Sequence, residues 1–282
     1  MNWHFRTIGM GTVNYRRAAV RLAREVESTG LFETSIGFNE GFLRDQSKVF
    51  WANHKSVLKA RVPGFGWWIW KPEFIFRCLE QVPEGDGVFY LDAGSFVSNS
   101  EDGLQETNKM LAVAREQSVV VAHGQHFIER NCTSAELMNF LGLTASQRET
   151  PQHYAGFLLV LNDRKGREFV DNWKHLACAN NHDYLIPSFR SSQDIDLNHH
   201  MYDQAILSCL VKKFGETSIE VGDKQKDGPI RLIRHRYAYG ISEKRRAVKL
   251  LYKLIGFASK LRLAIEHRIF RDSLSKRPPN HD

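Results

Sequence analysis

The sequence lacks the features of several protein classes. Its four cysteines are scattered with no C-x-x-C pair, so the spacing of a zinc site is absent and a disulfide framework is not expected. We interpret these cysteines as reduced, buried side chains. No apolar run reaches the length that crosses a bilayer, and the opening residues MNWHFR contain no signal-peptide core. We therefore expect a cytoplasmic protein.

Most of the chain also lacks an excess of charge of either sign. The 282 residues carry a formal charge of +7, but residues 241–282 hold 11 Lys or Arg against 4 Asp or Glu. The first 240 residues carry 28 of each sign. Because binding to a phosphate backbone needs a basic surface, a neutral main domain argues against nucleic acid as a partner. We predict one domain over 1–240 and a basic tail over 241–282.

The tail has the pattern of a basic amphipathic helix. Over 244–270, apolar residues recur at helical spacing, and Lys and Arg occupy much of the remaining surface. Such a helix suits an anionic membrane surface, which would make the protein peripheral to the inner face of the membrane. An ordinary helix packed on the domain would show the same pattern, so both alternatives stay open.

Within 1–240, short apolar runs alternate with segments of helical periodicity. This alternation predicts a mostly parallel sheet with helices on both faces, since parallel strands need crossover connections. A capping box formed by Thr133 and Glu136 is predicted to begin a helix that ends near Phe140. The other predicted strands are 4–9, 34–38, 88–91, 119–122, 157–161 and 231–236, and the other predicted helices are 15–26, 45–58, 72–79, 163–178 and 201–214.

The turn after the first strand is a candidate nucleotide site. Gly9, Gly11 and Thr12 lie between this strand and the following helix, where open α/β sheets often hold a nucleotide. The same short motif is common in turns that only redirect the chain, and its spacing fits both interpretations.

The segment 64–72, GFGWWIWKP, is the most unusual in the chain. Three of the six tryptophans lie within 67–70. Glycines beside a tryptophan-rich loop, with a lysine at a helix start, suit a pocket for a base and a phosphate that Trp70 and Lys71 would contact. The alternatives are core packing for the tryptophans and a solvated position for Lys71.

Asp92 follows the apolar run 88–91, at the carboxyl end of a predicted central strand. Ligands bind at such ends in open α/β sheets, and a carboxylate suits a hard divalent cation that also contacts phosphate oxygens. The alternative is a strand-end aspartate that caps a turn or helix.

Several blocks of the sequence resemble a bacterial family of GT-A-type glycosyltransferases that includes capsular and lipopolysaccharide-associated members. The blocks GFGWWIWKP at 64–72 and YLDAG at 90–94 are together quite specific, and the resemblance spans roughly 4–236. The resemblance implies a GT-A fold (Rossmann-like, nucleotide-diphospho-sugar transferase), a nucleotide-sugar donor, and Mn²⁺ or Mg²⁺ as cofactor. The weaker blocks are 28–32, 84–86, Glu129 with 133–142, Gln152 with 155–157, and 200–204.

The resemblance also implies roles for single residues. Asp92 occupies the place of the family's metal motif, but it supplies one carboxylate instead of two. The second ligand is then His235 or water, which Mg²⁺ tolerates. The alternative for His235 is a structural role. Residues implied to bind the donor are Gly9, Gly11, Thr12, Trp70, Lys71, Asp92 and Gly156.

Catalytic residues are implied at Gln152, Asp203 and Gln204, beside the sugar and the acceptor. Asp203 would accept hydrogen bonds from sugar hydroxyls or act as a base in an inverting reaction. Its alternative role is capping the helix start. Neighbouring His199 and His200 lack a further ligand at a diagnostic spacing, so we do not expect zinc there.

The sequence as a whole predicts a glycosyltransferase of polysaccharide biosynthesis, hexosyltransferase-like. It would move a sugar from a nucleotide-diphosphate-sugar donor to a glycan or lipid-linked acceptor. The alternative is a non-catalytic sugar- or glycan-binding relative that has lost the two-carboxylate motif.

Overall fold

The computed structural model describes residues 1–60, 62–187, 194, 196–220 and 230–232. His235 and the predicted tail lie outside the described residues, as does most of the strand predicted at 231–236. None of the described helices combines the length and the apolar character that a membrane span requires.

Strands and helices alternate along the chain, as the sequence predicts. The strands are β1 (Trp3–Gly9), β2 (Thr34–Asn39), β3 (Gly87–Leu91), β4 (Phe96–Val97), β5 (Val119–Ile128), β6 (Pro151–Leu161), β7 (Thr217–Glu220) and β8 (Ile230–Arg231). The helices are α1 (Val13–Glu27), α2 (Glu40–Gln46), α3 (Lys48–Asn53), α4 (Lys55–Ala60), α5 (Pro63–Trp67), α6 (Trp70–Leu79), α7 (Glu101–Glu116), α8 (Glu129–Cys132), α9 (Ala135–Phe140), α10 (Ala145–Arg148), α11 (Arg164–Cys178) and α12 (Tyr202–Phe214).

Six strands form the central sheet in the order β2-β1-β3-β6-β5-β7. The neighbours β2, β1 and β3 are parallel, as are β5 and β7, whereas β6 runs antiparallel to both β3 and β5. The sheet is therefore mostly parallel, which confirms the prediction. β4 and β8 pair separately, in a small antiparallel sheet.

The central strand β3 is buried on both faces of the sheet. Val88 and Tyr90 pack on one side with α6, α11 and α12, while Phe89 and Leu91 pack on the other with α1 and α7. Burying each large apolar side chain contributes about 1.5–3 kcal/mol. Two helical layers thus fix β3 in place, and Asp92 directly follows it.

Two predicted helices differ in detail from the structure. The segment predicted as one helix over 45–58 consists of α2, α3 and α4, with Ser47 and His54 at the breaks. The predicted capping box is wrong. Ser134 caps α9 by accepting a hydrogen bond from Leu137, and Thr133 turns its hydroxyl towards Glu129 instead.

Candidate functional site

Lys71 is the centre of a buried ion cluster. It lies in the first turn of α6, and its Nζ is 3.1 Å from Asp92 Oδ1 and 2.9 Å from Asp203 Oδ2. It also donates a hydrogen bond to the carbonyl of Ala155. Only 3% of the Lys71 side chain is exposed, so the solvated alternative is wrong. Lys71 joins a residue at the sheet edge to a residue of α12.

The carboxylate of Asp92 has one oxygen held by the protein and another beside a glycine. Tyr90 donates its hydroxyl to Oδ1 at 2.6 Å, and Lys71 pairs with the same oxygen. A Cβ on Gly156 would lie 3.1 Å from Oδ2, so glycine there leaves room beside this oxygen. The Asp92 side chain is 42% exposed, in contrast to the 3% of Lys71. Oδ2 is therefore the oxygen suited to a ligand.

Asp203 is buried in the first turn of α12. Its Oδ2 pairs with the Lys71 ammonium, and 5% of its side chain is exposed. The capping alternative is wrong, because α12 begins at Tyr202 and Met201 is its N-cap. Trp173 donates its indole N–H to the Asp203 carbonyl at 3.1 Å, which fixes the backbone that carries this carboxylate.

The charges of the cluster set each other's pKa values. Burial raises the pKa of Asp203 to about 6, with Lys71 opposing the rise and the charge of Asp92 adding to it. Burial alone would lower the pKa of Lys71, but the two carboxylates together raise it above its usual value. Burial and the charge of Asp92 raise the pKa of Tyr90 well above its usual value. At neutral pH we therefore expect an ammonium on Lys71 and a protonated, hydrogen-bond-donating Tyr90.

Gln152 and Gln204 lie together beside this cluster. Gln204 donates to Gln152 Oε1 at 2.7 Å, and Gln152 donates to Glu129 at 3.1 Å and to Thr133 at 3.0 Å. Gln152 is fully buried, whereas Gln204 is partly exposed. The structure thus brings Gln204 to the site next to Asp203 and places Gln152 one contact behind it.

The turn at 9–12 packs against the tryptophan-rich segment. Gly9 ends β1, and the Thr12 side chain caps α1 by accepting a hydrogen bond from the backbone of Tyr15. Gly11 has φ 82°, and a Cβ there would come within 2.7 Å of the Phe65 ring. Packing alone thus requires a glycine at position 11. Donor binding by this turn stays a prediction.

Trp70 belongs to the core. Its residue is 4% exposed, and its indole donates to the carbonyl of Gly64 at 2.8 Å. This arrangement fits the core-packing alternative for Trp70. Its indole braces the loop that begins at Gly64.

Sequence reasoning missed Arg21, which holds the loop after Asp92. The buried Arg21 donates to the carbonyls of Ala93 at 3.1 Å and Ser95 at 2.8 Å, and its guanidinium lies 4.0 Å from the Phe96 ring centroid. No local pattern marks this role, because an arginine on a helix ordinarily indicates a solvated face.

The ring of His200 is held by the protein at both nitrogens. His200 accepts a hydrogen bond from the backbone of Ser134, and its other ring nitrogen lies 3.1 Å from the Tyr184 carbonyl. Across the described ranges, no cluster of three or more His, Cys, Asp or Glu side chains is arranged to hold a metal ion. Metal binding by Asp92 stays a prediction.

Comparison with known proteins gives structural likenesses alone. No protein-family profile matches the chain, and no curated protein matches it. The chain is similar to the galactosyltransferase LgtC in complex with donor and acceptor sugar analogues (14% identity, TM-score 0.42), with 90% of this chain and 95% of that chain covered. It is also similar to mouse xyloside xylosyltransferase 1 in its apo form (10% identity, TM-score 0.39), with 78% and 85% covered. A third similar structure is a glucose-1-phosphate thymidylyltransferase assigned as putative, from Bacillus anthracis, in complex with sucrose (9% identity, TM-score 0.37, 78% and 87% covered). TM-scores below 0.5 do not establish a shared fold.

Proposed function

We propose that the chain is a GT-A-type glycosyltransferase that moves a sugar from a nucleotide-diphosphate-sugar donor to a glycan or lipid-linked acceptor. The observation that carries the proposal is the cluster of Lys71 with Asp92 and Asp203. It lies where the central strand β3 ends, at the edge where α/β sheets bind ligands. Burial and specific charge partners shift the pKa values of Lys71 and Asp203, which marks the cluster as a candidate functional site.

Asp92 would hold the divalent ion, Mn²⁺ or Mg²⁺. Its Oδ2 lies beside the space that Gly156 leaves, and its side chain is half-exposed, so the residues present fit such an ion. Mg²⁺ commonly takes one or two carboxylates and completes its shell with water and substrate phosphates. When bound, the ion would neutralise the charge of the diphosphate leaving group. His235 as a second ligand stays a proposal.

The acceptor would lie on the side of Asp203 and Gln204. With a pKa of about 6, the Asp203 carboxylate is ionised at neutral pH and more basic than an ordinary aspartate. It would accept a hydrogen bond, or a proton, from a sugar hydroxyl. Gln204, held by Gln152, would donate from the neighbouring position.

Donor screening tests this proposal. The wild-type chain would be heated with UDP-, GDP-, CMP- and dTDP-sugars, with and without Mn²⁺, and release of the free nucleotide would be measured on the same panel. We expect one nucleotide class to raise the melting temperature with Mn²⁺, since a ligand of the folded state stabilises it by mass action. We also expect slow release of its nucleoside diphosphate. Stabilisation without any release would favour the non-catalytic sugar-binding alternative.

Membrane contact is a separate part of the proposal. The tail segment 244–270 would bind anionic lipid and bring the enzyme to a lipid-linked acceptor. Full-length chain carrying Lys249→Glu and Lys253→Glu should lose co-sedimentation with phosphatidylglycerol vesicles. Equal sedimentation of both proteins would contradict membrane binding by the tail.

A further inference from the structure

The tryptophan-rich segment has an uncommon backbone. From Gly64 to Trp68, all five residues have positive φ, at 66°, 57°, 94°, 51° and 61°. Bulky side chains such as Phe65, Trp67 and Trp68 rarely adopt this conformation, because Cβ approaches the carbonyl oxygen. Such strain persists where the surrounding structure enforces it, and it concentrates at binding and catalytic sites.

A second strained residue faces the first segment. Tyr202, the first residue of α12, has φ 50°, and its ring centroid lies 5.7 Å from that of Trp68 at an interplanar angle of 37°. The same two segments meet again at the ion pair of Lys71 and Asp203, at 2.9 Å. The backbone N–H of Lys71 donates to the Trp68 carbonyl, so the residue of the ring pair and the residue of the ion pair are joined by a hydrogen bond.

The three tryptophans of the segment differ in their surroundings. Trp70 lies in the core, and Trp67 packs against Val57 and Val62. The ring of Trp68 covers Gly64, where a Cβ would come within 2.1 Å of it. Trp67, Trp68 and Tyr202 are all partly exposed, and Trp68 is the tryptophan whose ring pairs with Tyr202. The strained backbone therefore presents Trp68, backed by Gly64, next to the charged cluster.

We propose that Trp68 and Tyr202 form an aromatic platform that binds the apolar face of a pyranose ring. This inference rests on the proposed function and names the part of the site that selects a sugar. One face of a pyranose carries C–H groups that pack on aromatic rings, while its hydroxyls need polar partners at the rim. Asp203 and Gln204, which directly follow Tyr202, supply an acceptor and a donor for those hydroxyls.

The test compares Trp68→Ala with Trp67→Ala, a neighbour of equal size that is also partly exposed and packs against Val57 and Val62. Calorimetry would measure binding of UDP-glucose, UDP-galactose and GDP-mannose, of UDP and GDP alone, and of methyl β-glucoside and methyl β-galactoside. Trp68→Ala should weaken a sugar-bearing probe by about tenfold, as loss of an aromatic contact does, and leave the free nucleotide unchanged. Trp68→Phe should retain most of the affinity, and Trp67→Ala all of it.

The two kinds of sugar probe show whether the bound pyranose belongs to the donor or to the acceptor. A loss confined to nucleotide sugars assigns the platform to the donor, and a loss confined to methyl glycosides assigns it to the acceptor. An equal loss for UDP or GDP alone would overturn the proposal, because the ring pair would then hold the base. Unchanged sugar affinities in Trp68→Ala would overturn it as well.

Two further controls keep the proposal independent of folding and of the reaction. If Trp68→Ala does not fold, Tyr202→Leu removes the partner ring from the other segment and should give the same selective loss. If methyl glycosides bind through Trp68 but no donor is turned over, the platform proposal holds and the proposed transfer reaction is contradicted. If donor is turned over but sugar affinity is unchanged in Trp68→Ala and Tyr202→Leu, the transfer reaction holds and the platform proposal is contradicted.

Discussion

Two lysine–carboxylate clusters lie close together in this molecule, and they are completed to different degrees. The carboxylate of Glu129 is fully buried and receives four donors. Its Oε1 accepts from Thr133 at 2.5 Å and Gln152 at 3.1 Å, and its Oε2 accepts from Ser208 and pairs with Lys212 at 2.6 Å. Every lone pair that a ligand would use is taken, so this cluster supports the scaffold.

The Lys71 cluster is the incomplete one. It sets one ammonium against two carboxylates, leaves Asp92 half-exposed, and holds Asp203 Oδ2 through its ion pair with Lys71. Protein folding alone would favour the completed arrangement, because unsatisfied buried charge costs free energy. The contrast fits a scaffold role for the cluster around Glu129 and the proposed binding role for the cluster around Lys71.

The largest effect is expected from removing the shared ammonium. Lys71→Met leaves Asp92 and Asp203 without their cation, which should cost about 3–5 kcal/mol of unfolding free energy at pH 7. Without Lys71 the pKa of Asp203 rises further. A raised folded-state pKa favours the fold at low pH, so the cost should shrink as the pH falls from the raised Asp203 pKa of the variant towards about 6, the wild-type value. Urea unfolding at several pH values measures this, and a pH-independent cost would contradict it.

Breaking the completed cluster should also destabilise the fold. Glu129→Ala leaves Lys212, whose side chain is 6% exposed, without its carboxylate, and we expect a loss of about 3 kcal/mol by chemical unfolding. The matched control is Glu106→Ala, which breaks the exposed pair with Lys109 and should cost less than about 1 kcal/mol. Similar losses for the two variants would remove the distinction between the clusters.

The pH dependence of turnover sharpens the comparison. If ionised Asp203 receives a hydroxyl proton, kcat/KM should fall about tenfold per pH unit below pH 6, where its carboxylate protonates. Asp203→Asn should abolish this acid limb along with most of the rate. An acid limb that persists in Asp203→Asn would assign the titration to another group.

A smaller effect is expected from one donor of the completed cluster. Thr133→Val removes a hydrogen bond to Glu129 and should cost about 1.5 kcal/mol, as loss of a bond to a charged group does. Ser134→Ala removes the cap of α9 and should cost about 1 kcal/mol. Thermal unfolding of both variants would show whether the residue predicted as the cap instead serves Glu129.

The sequence predicts those features that local chemistry determines. The strand ending at Asp92 is evident from its apolar run, and the helix containing Pro72 begins where a proline in the first turn predicts. The reversed direction of β6 leaves no trace in its own residues, because an apolar run reads the same in either direction. The neighbouring Thr133 and Ser134 both suit an N-cap, and only tertiary contacts decide between them.

The composition of the site depends on contacts between distant parts of the chain. Lys71 resembles a surface lysine by its position in a helix, and it is buried because α12 brings Asp203 onto it. Glu129 is unremarkable in sequence, and its role appears only when Ser208 and Lys212 are placed around it. Local sequence patterns do not reveal residues that act through such contacts, whereas Asp92 can be predicted because it follows an apolar strand.

The most direct test of sugar transfer at this cluster is donor turnover by Asp92→Asn. The control is Asp45→Asn, which alters an aspartate that is 66% exposed in a surface pair with Arg44. Nucleoside diphosphate release would be measured with Mn²⁺ and the donor that stabilises the wild type. We expect Asp92→Asn to remain folded and to lose at least about 100-fold in rate, and Asp45→Asn to match the wild type. Release by Asp92→Asn at the wild-type rate would contradict the assignment of this carboxylate to the reaction.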